Sequence, residues 1–423
     1  MRVLRLGSRG TDVMEIQALL RKIGYDPRSI DGIFGEETRQ SVIAFQRNNG
    51  LTPDGVIGPI THKALEPLLL GYDIYKIRSG DTLYQIARNY YTTVEKIVTA
   101  NPTVNPYNLR IGQQIVVPFG IDVVATNIAY TYEIMERNIR GLRARYPFLE
   151  VGSAGRSVLG RELYYLKIGN GPNQVFYNGS HHSLEWITTP LLMKFIENFS
   201  KAYVQETNIR GYDVRTIWDK STIYIMPMVN PDGVDLVLNG LQPDNPFYNE
   251  LLKWNITGLP FSQVWNANIR GVDLNHNYDA LWERYKVIAQ QQGYGSPGPT
   301  RYPGKNPESE PETRAVADFT RNHNFRLVLA YHTQGEVIFW TFQNLEPPEA
   351  RTIAELFSRV SGYRLGEAYG LGAYSGYKDW FIQQYRRPGF TIEAGLGKNP
   401  LPITQFDKIY NDNEELLLLA SVV

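Results

Sequence analysis

Four apolar runs, each ending in polar side chains, constrain this chain more than any other feature. Val175-Phe176-Tyr177 ends at Asn178-Gly179-Ser180-His181-His182. Ile223-Tyr224-Ile225-Met226-Pro227-Met228-Val229 ends at Asn230-Pro231-Asp232-Gly233. Leu327-Val328-Leu329-Ala330 ends at Tyr331-His332-Thr333-Gln334, and Phe390-Thr391-Ile392 ends at Glu393-Ala394-Gly395. Unbroken apolar runs mark strands buried on both faces, as in parallel sheets covered by helices. Such open sheets bind ligands beyond the carboxyl ends of their strands. Thr189 to Phe199 and Glu310 to Asn322 have the pattern of the covering helices. Residues 126–423 therefore read as one large α/β domain, a mixed central sheet flanked by helices.

Two small units are expected ahead of it. Asp31-Gly32-Ile33-Phe34-Gly35 recurs as Asp54-Gly55-Val56-Ile57-Gly58, 23 positions on. Each is a tight turn whose glycines supply positive φ, and each precedes a helical stretch. Thr11 is placed to cap a first helix with the apolar face Val13, Ile16, Leu20 and Ile23. Thr38, Val42 and Phe45 share one face of the next helix. Residues 1–70 thus predict a three-helix bundle. Together with Leu6-Gly7-Ser8-Arg9-Gly10, Gln17 and Gln46, the pattern resembles the type 1 peptidoglycan-binding domain.

Residues 73–118 read as strand, helix, helix, strand. The strands are Tyr75-Lys76-Ile77 and Ile115-Val116-Val117-Pro118. The first helix carries Leu83, Ile86 and Ala87; the second carries Val94, Ile97 and Val98 and stops at Asn101-Pro102. This βααβ unit resembles a LysM module, which implies binding to N-acetylglucosamine-containing glycan. Residues 119–125 read as a linker.

Composition closes off other classes. Lys plus Arg and Asp plus Glu total 43 each, so the formal net charge is zero. Non-specific binding to nucleic acid or anionic membrane needs a basic excess. There is no cysteine, which excludes disulfides, thiolate zinc sites and cysteine nucleophiles. No window approaches 18 apolar residues, so no membrane span is expected. The opening MRVLRLGSRGTDVMEIQ lacks the apolar stretch of a signal peptide.

Of the six histidines, His181, His182, His276 and His332 sit in or beside the strand-end clusters. His182 and Glu185 are three apart, so around one turn they can share an ion. His332 offers a third ligand from another strand end. Two histidines and a glutamate leave an open position, as in catalytic zinc sites. Glu393 ends an apolar run, where a carboxylate suits a general base better than a structural role. His181 faces the opposite side of an extended segment from His182 and reads as a neighbour.

At this point the residues resemble a known family. Gly179-Ser180-His181-His182-Ser183-Leu184-Glu185-Trp186 is similar to the metal motif of carboxypeptidase A-like zinc peptidases. Asn230-Pro231-Asp232-Gly233, Gly271-Val272-Asp273-Leu274-Asn275-His276-Asn277-Tyr278, the His332 segment and Phe390-Thr391-Ile392-Glu393 match its other signatures, in order. The resemblance implies one Zn2+ per chain on His182, Glu185 and His332, with Glu393 activating water. It implies that Asn275 and His276 position a substrate carboxylate, and that Arg270 stabilises the oxyanion and helps bind substrate. It also implies a mobile tyrosine, for which Tyr374 is the first choice and Tyr369 the second.

One departure narrows the reading. The family clamps a terminal carboxylate with arginine where this chain has His276; imidazole cannot grip it bidentately. Trp265 to Gly271 and Ser375 to Trp380 look like the bacterial branch that cleaves the γ-D-glutamyl–meso-diaminopimelate bond of peptidoglycan. The implied partners are peptidoglycan glycan and stem peptides, with no nucleic acid. The substrate implies the cell wall or extracellular side; without a visible signal peptide, cytoplasmic or sporulation-compartment action stays open. Rival expectations are a carboxypeptidase trimming stem peptides, an inactive peptidoglycan-binding protein, and a glycosidase.

Overall fold

A computed structural model describes residues 2–423. The chain divides into two compact units, one ending at Glu150 and the other running Val151–Val423.

In the first unit, helices Thr11–Lys22, Glu36–Asn48 and Pro59–Leu70 enclose Leu4, Val13, Ile16, Leu20, Phe34, Val42, Phe45 and Leu65. The repeat has a physical cause. Gln17 Nε2 lies 3.0 Å from Asp31 Oδ1, from the Ile33 carbonyl and from Thr38 Oγ1, while its Oε1 accepts from Gly32 N at 2.8 Å. Gln46 repeats this set on Asp54 Oδ1, the Val56 carbonyl, Thr61 Oγ1 and Gly55 N. Each buried glutamine knots one turn to the helix after it. Gly32 has φ 72 and Gly55 φ 74, so both turns require glycine. Gln46→Ala strands buried donors and acceptors at about 1–3 kcal/mol each. We expect a loss of roughly 2–4 kcal/mol in this module, read as a lower urea midpoint of its transition. One expectation needs correcting. Gly10, at φ 138, occupies the cap position of the first helix, and Thr11 is its first helical residue.

Next come β1 (Tyr72–Lys76) and β2 (Gln114–Pro118), antiparallel, bracketing helices Leu83–Asn89 and Val94–Ala100. Thr82 and Thr93 cap these helices by accepting from Gln85 N and Lys96 N. Asn101 ends the second helix and bonds Ile97 O, Val116 O and Val116 N. Helix Tyr132–Arg145, capped by Thr131, follows within the same unit. Sequence reading did not single it out.

The second unit is built on an eight-stranded mixed sheet: β3 (Glu150–Arg156), β4 (Glu162–Ile168), β5 (Asn173–Gly179), β6 (Ser221–Met226), β7 (Leu327–His332), β8 (Val337–Phe339), β9 (Arg364–Gly366) and β10 (Gly389–Glu393). Their order is β9-β8-β10-β7-β5-β6-β4-β3. The four apolar runs are β5, β6, β7 and β10. They lie together and parallel in the middle, so their carboxyl ends share one edge. Phe176, Val328 and Ala330 pack on one face with Val316, Phe319, Tyr377 and Trp380, from helices Pro311–Arg321 and Tyr377–Tyr385. On the other face Tyr177 donates to the Leu417 carbonyl of helix Phe406–Leu419, and Gly179 meets Thr188 and Leu192 of helix Thr188–Gln205.

Candidate metal centre

The first two ligands sit on a turn that the fold holds from several sides. After β5 the chain bends at Ser180, φ 53, and passes through the short helical turn Ser183–Glu185. Ser180 N donates to Thr188 Oγ1 at 2.9 Å, and Ser183 Oγ donates to Ala267 O at 2.8 Å. Asn230 caps helix Pro231–Asn239 and donates to the His181 carbonyl at 3.1 Å. Buried Asp232 accepts from Ser157 Oγ, Leu159 N and Arg161. The Asn-Pro-Asp-Gly signature therefore supports the metal turn from behind.

Three donor groups converge. His182 Nδ1 lies 2.9 Å from Glu185 Oε1, and His332 Nδ1 lies 2.8 Å from Glu185 Oε2. The two Nδ1 atoms are 3.3 Å apart. His182 Nε2 is 3.0 Å from Asp273 Oδ1, which makes Nε2 the protonated nitrogen and leaves a lone pair on Nδ1. Glu185 and Asp273 raise the affinity of the metal-free His182 ring for a proton, and a cation bound at Nδ1 would take that proton's place between the ring and the Glu185 carboxylate. Among the described residues His332 Nε2 is buried without a hydrogen-bond partner, so the polar contacts of this ring are all made through Nδ1. A cation satisfies this arrangement. At zinc–nitrogen distances of about 2.0–2.1 Å, tetrahedral ligands stand about 3.3 Å apart, as these nitrogens do. The residues present fit zinc.

Glu393 stands opposite His332 in the β10–β7 register. Burial, and behind it the negative charge of Glu185, push its carboxyl well above the usual range. Such a group can take up and return a proton near neutrality.

The other expected residues lie elsewhere around this edge. Asn275 Oδ1 accepts from Tyr377 N at 3.0 Å, pinning the start of helix Tyr377–Tyr385. His276 Nδ1 lies 3.1 Å from the Tyr374 carbonyl, and its ring stacks on Tyr285 at 4.3 Å. A carbonyl only accepts, so Nδ1 carries the proton. Burial lowers the pKa of the ring; neutral His276 then offers a lone pair at Nε2, which takes a donor rather than a carboxylate. Arg270 and Tyr374, expected at the oxyanion and as the mobile tyrosine, stand apart from the three ligands. Arg270 faces Glu310 at 3.8 Å, in a cavity of about 410 Å³ with Phe247, Trp254 and Tyr302. The Tyr374 ring packs under Arg284 at 5.0 Å. Neither makes a hydrogen bond or ion pair with the three ligands or Glu393 among the described residues. Tyr369 is 79 % exposed. His181 is buried with Nε2 2.9 Å from Tyr278 Oη, a neighbour of the centre and outside its donor set.

Two residues were missed. Asp273 sat inside a quoted motif without a role; an acid two positions before Asn275 gave the signal. Asn399, beyond the last strand, gave none.

Comparison with known proteins matches these features. The zinc carboxypeptidase family matches residues 135–416, two-thirds of the chain. The chain belongs to the zinc carboxypeptidase family. It is a metallopeptidase of that family, preceded by a peptidoglycan binding domain matched over residues 9–65 and a LysM domain over 75–118. Among family relatives, gamma-D-glutamyl-L-diamino acid endopeptidase 1 of Lysinibacillus sphaericus is 47% identical over 283 residues, 67% of this chain and 70% of that protein. The uncharacterized protein YqgT of Bacillus subtilis is 36% identical, covering 69% of this chain and 77% of that protein. The crystal structure of thrombin activatable fibrinolysis inhibitor shares the fold, with TM-score 0.55 and 18% identity over 83% of this chain and 97% of that one. No helix among the described residues is long and apolar enough to cross a membrane.

Proposed function

We propose that this family member hydrolyses the γ-D-glutamyl–meso-diaminopimelate bond of peptidoglycan stem peptides. The 47% identity to an endopeptidase named for that class of bond carries the reading. His276 supports it physically: a lone pair where the family places a carboxylate clamp suits a chain that continues past the cut. In this proposal His182, Glu185 and His332 hold zinc. When bound, zinc supplies Lewis acidity to the scissile carbonyl and acidifies water. Glu393 accepts the proton of the attacking water and hands it to the departing amine. Asp273 keeps His182 oriented, and Asn275 keeps the neighbouring helix in place.

The proposed domains are 1–70, 73–118 and 126–423, and the matched segments fall inside these limits. The two small modules bind glycan strands and raise the local concentration of stem peptide. The proposed place of action is the cell wall, with no nucleic-acid partner. Mass spectrometry of products from L-Ala-γ-D-Glu-diaminopimelate, with and without a trailing D-Ala, tests the reaction. Cleavage of both peptides at the γ-bond is expected. Release confined to the peptide lacking D-Ala makes the enzyme a carboxypeptidase, and no cleavage with zinc bound rejects this substrate.

A further inference from the structure

One side chain outside the ligand set reaches a ligand directly. Asn399 lies six positions beyond Glu393, in the loop that follows β10. Its Nδ2 is 3.3 Å from Glu185 Oε1 and donates to the Thr333 carbonyl at 2.8 Å. Its Oδ1 accepts from Thr333 Oγ1 at 2.7 Å. Thr333 follows the ligand His332. One amide thus spans a ligand carboxylate, the residue after a second ligand, and the loop that continues from the base.

We infer that Asn399 is a positioning residue that orients the Glu185 carboxylate for zinc and locks the loops after β7 and β10 together. Glu185 faces both imidazoles through the side that would take the ion. Asn399 is the one amide or hydroxyl donor to that carboxylate among the described residues. A carboxylate restrained by a second hydrogen bond loses less freedom on binding a cation, and such outer partners are worth roughly 10–100-fold in metal affinity. The pair of hydrogen bonds to Thr333 fixes the amide's direction: the Thr333 carbonyl can only accept, so the group 2.8 Å from it is Nδ2, and the same Nδ2 faces Glu185.

The inference rests on the metal assignment, and the test separates the two. Zinc affinity of the folded full-length chain is measured with a competing chromophoric chelator, and the cobalt(II)-loaded protein is examined by visible spectroscopy. Wild type binding no zinc removes the metal assignment itself. With wild type loaded, Asn399→Ala and the near-isosteric Asn399→Asp are expected to bind zinc roughly tenfold or more weakly. Both are also expected to alter the cobalt band, while circular dichroism stays native. Thr333→Val cuts the anchor but leaves the donor, and should weaken zinc by a smaller factor. It stands in if the Asn399 variants do not fold. A purely structural role would lower the melting temperature of the metal-free protein without changing affinity. Zinc affinity within twofold of wild type in every folded variant overturns the proposal.

Discussion

Glu393→Gln is expected to lower kcat for stem-peptide hydrolysis by about 10²–10⁴ while leaving zinc content and fold intact. The reasoning starts from the strand. Glu393 ends β10 directly beside His332 of β7, so its position is set by backbone pairing. Glutamine fills the same volume, and it removes a carboxyl that burial and Glu185 already disfavour as an anion. The folded state should therefore be no less stable. What the amide lacks is a lone pair basic enough to take a proton from water. The expected signature is a collapse of kcat with zinc still at one ion per chain, read by product chromatography and metal analysis. Activity within tenfold of wild type would sink the assignment of the base.

His332→Ala is expected to abolish tight zinc binding, with a matching loss of metal-linked stability. Zinc at a thousand times its Kd adds about 4 kcal/mol to the state that binds it. In a unit of this size that moves Tm by roughly 8–16 °C. Chelator should lower the wild-type Tm by an amount in that range and leave the His332→Ala Tm unchanged. The chelator comparison within each protein separates metal loss from the cavity that His332→Ala creates. Equal chelator shifts in the two proteins would place the ion elsewhere.

The residues whose placement sequence reading anticipated are those that local rules position. His182 and Glu185 are linked by a single turn. His332 and Glu393 each close an apolar run, and parallel strands in one sheet put such ends together. The same rules could not reach Asn399, whose partners lie 214 and 66 positions away. Arg270 was chosen for its nearness in sequence to Asn275. The turn between them points its guanidinium toward Glu310, and closeness along a chain does not set direction after a turn. Tyr374 shows the same limit: its backbone serves His276 while its ring leaves for Arg284. Strands β8 and β9 are three residues each and exist only through pairing with neighbours, so no periodicity announced them.

The separation of the ligands has a consequence for biogenesis. His182 and His332 stand 150 positions apart, and β5 and β7 join them only once the sheet has formed. Closing so long a loop is entropically costly for a disordered chain. The nascent polypeptide is accordingly a poor chelator. The apoprotein is expected to assemble before it takes up metal, and stripped enzyme should regain its ion without passing through denaturation.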